Sequence, residues 1–385
     1  MLKILFLSIP TGGGHHQAAR AMERYFEGRE DVECRMLDMA ENVNSALADA
    51  VSKGYILTTS VTPKLFGTIY DLLDARENPS AEASRTIRVL MSAFRKKLCA
   101  YIDAFRPDVI VSTHPFCTIT LNRAAKRHPI SAQLISIVTD FTIHPFWEQA
   151  RSDYYVTASE LLSHQALKKW GTVEQVLPLG IPVDPKFAKK MPKEDARKAL
   201  GAENKFTVLI MMGSMGYGTS TAETLRTLDR MDEDFQILVI CGSNKKMKSR
   251  LDRMKFTKEV KIFGFVNNVD VFMDACDCII TKPGGLSTSE ALAKRVPILM
   301  LDPIPGQEDR NKEFLLNNGI ALYISDTFDV DEAVHQLIHY PFKAEQMISN
   351  MKHFAKPNAA RDLGEFILSI QTKKTTDGNK SSVSS

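Results

Sequence analysis

The sequence predicts an α/β protein of two doubly wound, Rossmann-like domains facing a cleft. Three observations predict it. A unit of apolar strand, glycine turn and helix occurs twice, far apart in the chain. The first is Leu2–Ile9, Thr11-Gly-Gly-Gly14 and a helix from His15 to Phe26; the second is Asp277-Cys-Ile-Ile280, Pro283-Gly-Gly285 and a helix through Ser289–Lys294. The strand segments are near-continuous apolar runs, the pattern of parallel strands buried on both faces. The chain has 385 residues, enough for two domains of ordinary size.

In order along the chain, Leu2–Ile9 opens the first sheet. From Asn44 to about Tyr101 the pattern is helical, without clear strands, and Tyr55 to Tyr70 is rich in aromatic and apolar residues. Ile87, Leu90, Met91, Phe94 and Leu98 recur at helical spacing, with Arg85, Arg88, Arg95 and Lys96 mainly on the opposite face. Two readings stand here: a core-facing helix with a solvated charged face, or a basic interfacial helix that meets anionic lipid. Asp108–Thr113 and Gln133–Val138 are buried strands that end at His114-Pro115 and Thr139-Asp140. Ligands bind beyond the carboxyl ends of such strands, which makes His15, His114 and Asp140 candidate site positions. Tyr154–Thr157 and Glu174–Leu177 close a first domain, residues 1–180.

The second domain, 181–356, repeats the alternation. Phe206–Met212, Phe235–Ile240, Val260–Phe263, Val296–Leu301 and Ala321–Ile324 are its further strands. Asp362–Ile370 is predicted to be a final helix, and the Ser/Lys-rich tail 372–385 is predicted to be disordered.

The glycine turn of the second domain carries most of the chemistry. A turn that delivers a helix N-terminus presents unpaired N–H groups and a positive dipole end, which suits a diphosphate. Pro283, Gly284, Gly285, Leu286, Ser287 and Thr288 are therefore the predicted diphosphate segment. Ser287 is the expected N-cap, with Glu290 at capping-box spacing. Pro305-Gly-Gln-Glu308 is a second turn ahead of a helix. The plain alternative is a tight strand–helix turn with no ligand; the paired turn counts against it. His15 is the candidate general base, because imidazole titrates near neutrality and an acceptor hydroxyl is a poor nucleophile until its proton is taken. Its alternative role is a phosphate ligand at the first turn of a helix.

Lys282-Pro-Gly-Gly-Leu-Ser-Thr-Ser-Glu-Ala291 with Pro305-Gly-Gln-Glu308 resembles the nucleotide-sugar site of family 28 glycosyltransferases. These include the plant monogalactosyldiacylglycerol synthases, the bacterial processive diacylglycerol glucosyltransferases and the enzyme that makes lipid II. The resemblance is strongest to the diacylglycerol glucosyltransferases and runs roughly from Lys3 to Phe366. It implies the GT-B fold, with a C-terminal helix, 357–371, packing back on the first domain. It implies that Glu290 binds ribose hydroxyls, that Gln307 and Glu308 bind sugar hydroxyls, and that backbone near Phe265 and Val266 reads the uracil edge. Gly213-Ser214-Met215-Gly216 matches a phosphate turn that is usually richer in glycine, Ser214 being the departure. The family's catalytic histidine falls on His15, at the end of the run with Gly13 and Gly14. Asp140 would orient that base or act as the base. Thr139–Trp147 resembles a segment of the lipid-using branch, and His144 and Trp147 would line the acceptor entrance; Trp147 has buried packing as its alternative.

Composition excludes some classes. Net charge is +3, too small to point to nucleic acid, and hydrophobic content of 44% with 25% charged residues is ordinary for a globular protein. Six scattered cysteines read as reduced, and no metal-ligand spacing is visible, so catalysis is expected without a bound metal or other cofactor. No apolar run is long enough to span a bilayer, so membrane association is expected to be peripheral, at the cytoplasmic face. The expected reaction is inverting transfer of glucose from UDP-glucose to diacylglycerol, and possibly onward to a glucosyl lipid. Arg88, Phe94, Arg95 and Lys96 are the expected contacts to an anionic surface. Open alternatives are UDP-galactose or UDP-N-acetylglucosamine as donor, a UDP-sugar 2-epimerase, and a non-catalytic UDP-sugar sensor.

Overall fold

The apolar runs form two parallel six-stranded sheets in a computed structural model. It describes residues 1–9, 13–39, 95–213, 220–303 and 307–381, with backbone alone at Gln307 and from 371 onward. The first domain comprises β1 (Leu2–Ser8), α1 (Gly14–Phe26), β2 (Val32–Asp38), α2 (95–105), β3 (Val109–Ser112), α3 (Pro115–Ala125), β4 (Gln133–Ile137), β5 (Tyr154–Val156), α4 (Ser163–Trp170) and β6 (Val176–Leu177). The second holds α5 (Lys193–Ala199), β7 (Thr207–Met211), α6 (Thr221–Asp229), β8 (Gln236–Ile240), α7 (Lys245–Leu251), β9 (Val260–Phe263), α8 (Val269–Ala275), β10 (Cys278–Thr281), α9 (Gly285–Lys294), β11 (Ile298–Met300), α10 (Gln307–Asn317), β12 (Ala321–Tyr323), α11 (Val330–His339) and α12 (Pro341–Phe354). A last helix, α13 (Ala359–Ser381), returns to the first domain.

Strand order is β2-β1-β3-β4-β5-β6 in one sheet and β12-β11-β10-β7-β8-β9 in the other. The order reverses between β1 and β3, where Ile4 pairs with Val109, and between β10 and β7, where Ile280 pairs with Ile210. Such switch points open crevices at the carboxyl ends of the strands, and this is where both glycine turns emerge.

Each sheet is covered on both faces. Leu2, Ile4 and Phe6 pack with Ala19, Met22, Leu363 and Ile367 on one side of the first sheet. Leu5 and Leu7 pack with Leu98, Ile102 and Phe105 of α2 on the other. The described part of the basic helix is thus core-facing, with Lys96 exposed on its far side. Arg85, Arg88, Phe94 and the Tyr55–Tyr70 segment lie outside the described residues.

β2 was not expected from the sequence. It is an edge strand in which only Leu37 is fully buried, so Val32-Glu-Cys-Arg-Met-Leu-Asp38 lacks an apolar run. α13 also departs from expectation. It begins at Ala359 and continues to Ser381, through a tail whose composition predicts disorder. Docking of Leu363, Ile367 and Ile370 supplies the nucleus, and each later turn adds hydrogen bonds to a helix already formed. Gly364 allows the approach: a Cβ there would lie 2.1 Å from Tyr25 Cε1.

The chain crosses between domains twice, side by side. Gly180, at φ +94°, leaves the first domain against Lys356, and a Cβ at 180 would lie 2.4 Å from Lys356 Cβ. The outgoing connection is anchored by a buried ion pair, Lys294 Nζ to Asp274 Oδ2 at 2.5 Å, whose carboxylate also accepts from Met191 N. No described helix is long and apolar enough to cross a membrane.

Candidate active site

Gly13 sits at φ +79° as the N-cap of α1, so the chain turns sharply after β1 and places His15 in the first helical turn. His15 Nδ1 lies 2.7 Å from the Thr113 carbonyl and 2.9 Å from Thr139 Oγ1. A carbonyl only accepts, so Nδ1 carries the proton and Nε2 keeps its lone pair. Burial lowers the His15 pKa, and the nearby Asp140 carboxylate and the Thr113 bond oppose that shift. The net effect is a neutral imidazole near pH 7. His16 faces elsewhere: Nδ1 is 3.1 Å from Ser8 Oγ, and Nε2 accepts from Arg20 Nε.

His114 ends β3 and caps α3, its Nδ1 accepting from Phe116 N at 3.1 Å. Its ring meets that of His15 edge-on, with centroids 4.6 Å apart. Burial holds its pKa well below the usual range, with His15 and His144 adding to the effect. Asp140 is buried at the end of β4, where Asn311 Nδ2 donates to its Oδ1 at 3.0 Å.

The opposite wall is the start of α9. The N-cap is Gly284, not Ser287 as expected: Thr288 N already bonds Gly284 O, so the helix starts three residues earlier than a serine cap would allow. Ser287 then lies within the first turn. Ser289 Oγ donates back to Gly285 O. The N–H groups of Gly285, Leu286 and Ser287 are the ones without intrahelical acceptors. Thr288 Oγ1 is buried with no partner among the described residues. Neither glycine needs positive φ. Gly285 is required for another reason: a Cβ there would stand 1.8 Å from the Thr139 carbonyl oxygen of the other domain. Gly14 likewise faces Leu286, at 3.7 Å from a built Cβ.

Glu290 lies one turn further along α9, half-buried. Burial pushes its carboxyl up to about 8, Lys186 opposing and Asp270 reinforcing the shift. Glu308 Oε1 lies beside the Gly284 turn, 3.6 Å from a built Cβ there. Gly213, at φ +77°, starts the turn after β7; Ser214, Met215 and Gly216 lie outside the described residues, as does the Gln307 side chain. Phe265 is exposed and Val266 half-buried in the segment after β9.

Of the two residues expected on the acceptor side, Trp147 is placed in the core. His144 is half-buried, stacks on Phe146, and has its pKa lowered to about 4 by burial, then by Arg310 and Lys169. Trp147 is 1% exposed and packs in the core, its carbonyl accepting from Trp170 Nε1. It lines no entrance, because the short helix Pro145–Glu148 turns its ring inward.

One residue was missed. Asn311 of α10 is fully buried between the domains: it donates to Asp140 and to the Pro283 carbonyl, each at 3.0 Å, and accepts from Phe141 N at 2.8 Å. Its position one helical turn after Gln307 is the only sequence signal for it.

A histidine at one switch point, faced across a cleft by a glycine-started helix at the other, fits a glycosyltransferase of the GT-B architecture. Residues 15–183 match the family described as monogalactosyldiacylglycerol (MGDG) synthase, and 192–354 match glycosyl transferases group 1. The chain is 29% identical over 373 residues to a processive diacylglycerol beta-glucosyltransferase of Bacillus pumilus, covering 95% of this chain and 94% of that one. Among solved structures, Acinetobacter baumannii MurG aligns with TM-score 0.63 at 13% identity, over 96% of this chain and all of that one (100%). The UDP-GlcNAc 2-epimerase of Neisseria meningitidis, bound to UDP-GlcNAc, aligns with TM-score 0.57 at 16% identity over 96% and 100%. These two likenesses show a common fold. The chain thus carries an MGDG synthase domain in its first half and a domain of the glycosyl transferases group 1 in its second.

Proposed function

We propose that the protein transfers glucose from UDP-glucose to the hydroxyl of diacylglycerol, with inversion, and that glucosyl-diacylglycerol serves as acceptor in a further round. The observation that carries this reading is the fixed tautomer of His15, whose Nδ1–H is taken by the Thr113 carbonyl. Nε2 is then the base. It takes the acceptor proton as the acceptor oxygen bonds the anomeric carbon, and the electron pair of the breaking bond leaves on the UDP phosphate. The Asp140 carboxylate favours the imidazolium that forms. N–H groups at the start of α9 and its dipole stabilise charge building on UDP. One base and one departing diphosphate suffice, so no covalent sugar–enzyme intermediate and no metal are needed.

Glu290 is assigned to the ribose, Glu308 and Gln307 to the sugar, and the Phe265–Val266 backbone to the uracil. Work on diacylglycerol requires a lipid surface, and peripheral attachment at the cytoplasmic face through the basic helix containing Arg95 and Lys96 supplies it. The glucose donor and the processive action are supported by the names of the Bacillus relatives.

The test is incubation with UDP-glucose, UDP-galactose or UDP-N-acetylglucosamine and diacylglycerol vesicles, with and without a chelator, followed by mass analysis of the lipids. Mono- and diglucosyl lipid from UDP-glucose alone is the expected result. Hexosyl lipid from another donor changes the sugar assignment. Epimerised nucleotide sugar with no glycolipid overturns the reading.

A further inference from the structure

Glu233, His335 and His339 meet on the second domain, away from the cleft. Glu233 lies in the loop between α6 and β8, and β8 begins at Gln236, so this loop is at the amino end of the sheet. The cleft is at the carboxyl end. His335-Gln-Leu-Ile-His339 sets two imidazoles one turn apart on α11, where side chains four residues apart are neighbours.

His335 Nδ1 is 2.6 Å and His339 Nε2 is 3.2 Å from the same oxygen, Glu233 Oε1. The ring centroids are 4.3 Å apart, and one ligand atom from each residue lies within 4.8 Å of the others. Zinc bonds of about 2.0–2.1 Å in tetrahedral geometry place ligand atoms about 3.3 Å apart, within the range seen here. The carboxylate is well held, since Lys258 Nζ donates to the backbone carbonyls of both Glu233 and Met231 at 2.6 Å. Its side chain is 18% exposed, whereas the histidines are 47% and 49% exposed, which leaves the solvent side open to a water ligand.

We propose that Glu233, His335 and His339 form a binding site for one divalent transition-metal ion of the zinc class. Two nitrogens and a carboxylate oxygen match that class, and a three-residue set leaves one tetrahedral position for water. The ion ties α11 to the loop ahead of β8, linking residues 102 apart in sequence. It is remote from His15 and takes no part in sugar transfer.

The test uses the full-length protein after chelation and desalting. Zn(II) is titrated by calorimetry and Co(II) by visible absorption, in the parent, in His335→Gln/His339→Gln and in Glu233→Gln. The parent is expected to bind one equivalent with a tetrahedral-type Co(II) spectrum, and to melt at a higher temperature with Zn(II). The histidine double variant is expected to bind at least a hundredfold more weakly and to lose the thermal shift; Glu233→Gln is expected to weaken binding at least tenfold. Equal affinity in parent and both variants places the metal elsewhere, for example at Cys34 or Cys99, and overturns the proposal. So does an absence of binding in the parent, where the three side chains are simply hydrogen-bonded. The Glu233 variant keeps the test decisive if the double variant fails to fold.

Discussion

Asn311, in the second domain, donates a hydrogen bond to Asp140, in the first, at 3.0 Å. The same side chain joins Pro283 O and Phe141 N, so one amide spans the loop after β4 and the turn before α9. Asn311→Ala removes three hydrogen bonds made in a buried setting, at a cost of about 1–3 kcal/mol each before relaxation. A fall in denaturant midpoint and a loss of turnover are expected. An unchanged midpoint would show that the amide does not couple the two domains.

Gly285→Ala tests the closest approach of the domains. The added methyl would meet the Thr139 carbonyl at 1.8 Å, backbone against backbone, so neither side yields by a rotamer change. The domains must separate, and turnover is expected to fall at least tenfold, with an increased radius of gyration in small-angle scattering. Normal turnover and an unchanged radius would mean that the observed closure is dispensable.

His15→Ala is expected to cut turnover about a hundredfold or more, the usual scale for losing a general base, while UDP binding survives. Because burial lowers the His15 pKa below 6.5, the acid limb of kcat/KM is expected below that pH. Asp140 opposes the shift, so Asp140→Asn is expected to move the limb to still lower pH. Near-normal turnover in His15→Ala, with abolished turnover in Asp140→Asn, would make Asp140 the base.

Glu290 gives a stability signature as well as a binding one. Its folded pKa, about 8, lies above its ordinary value of 4.5, so the folded state holds the extra proton between those limits. Stability contributed by this group is present below about pH 4.5 and is lost as pH rises towards 8. Glu290→Gln is expected to flatten that part of the stability–pH curve, as read by urea unfolding. Glu290→Ala is expected to weaken UDP-sugar binding by about 1–3 kcal/mol. An unaltered dissociation constant by calorimetry removes the ribose assignment.

Replacing Arg88, Arg95 and Lys96 together by serine tests the lipid surface. Each basic residue near an anionic bilayer contributes about 1 kcal/mol, so vesicle co-sedimentation is expected to drop strongly, with a smaller difference at high salt. UDP binding is expected to stay the same. If the triple variant sediments like the parent, the helix is only a core element.

The sheets were legible because burial on both faces leaves continuous apolar runs, as at Leu2–Ser8 and Thr207–Met211. β2 was not, since an edge strand with one fully buried side chain needs no such run. At the site, the glycine turn before α9 was legible, but its cap was not: Ser287 has capping chemistry, yet the cap falls at Gly284, with Gly285 pressed against backbone of the other domain. Trp147 illustrates a related limit, because a tryptophan after a strand end can face either way until its neighbours are known. Asn311 depends on three partners distant in sequence, a convergence that no local pattern encodes.

The return of α13 has a consequence for biosynthesis. Leu363, Ile367 and Ile370 complete the apolar face that Leu2 and Ile4 begin. A nascent chain therefore emerges with one face of its first sheet covered in part by α1, and the rest of that cover arrives only after the second domain has been made. The first domain is expected to be completed after the second, against the order of synthesis, and a chain cut short before Ala359 is expected to expose the part of that face that α13 covers to chaperones and to other copies of itself.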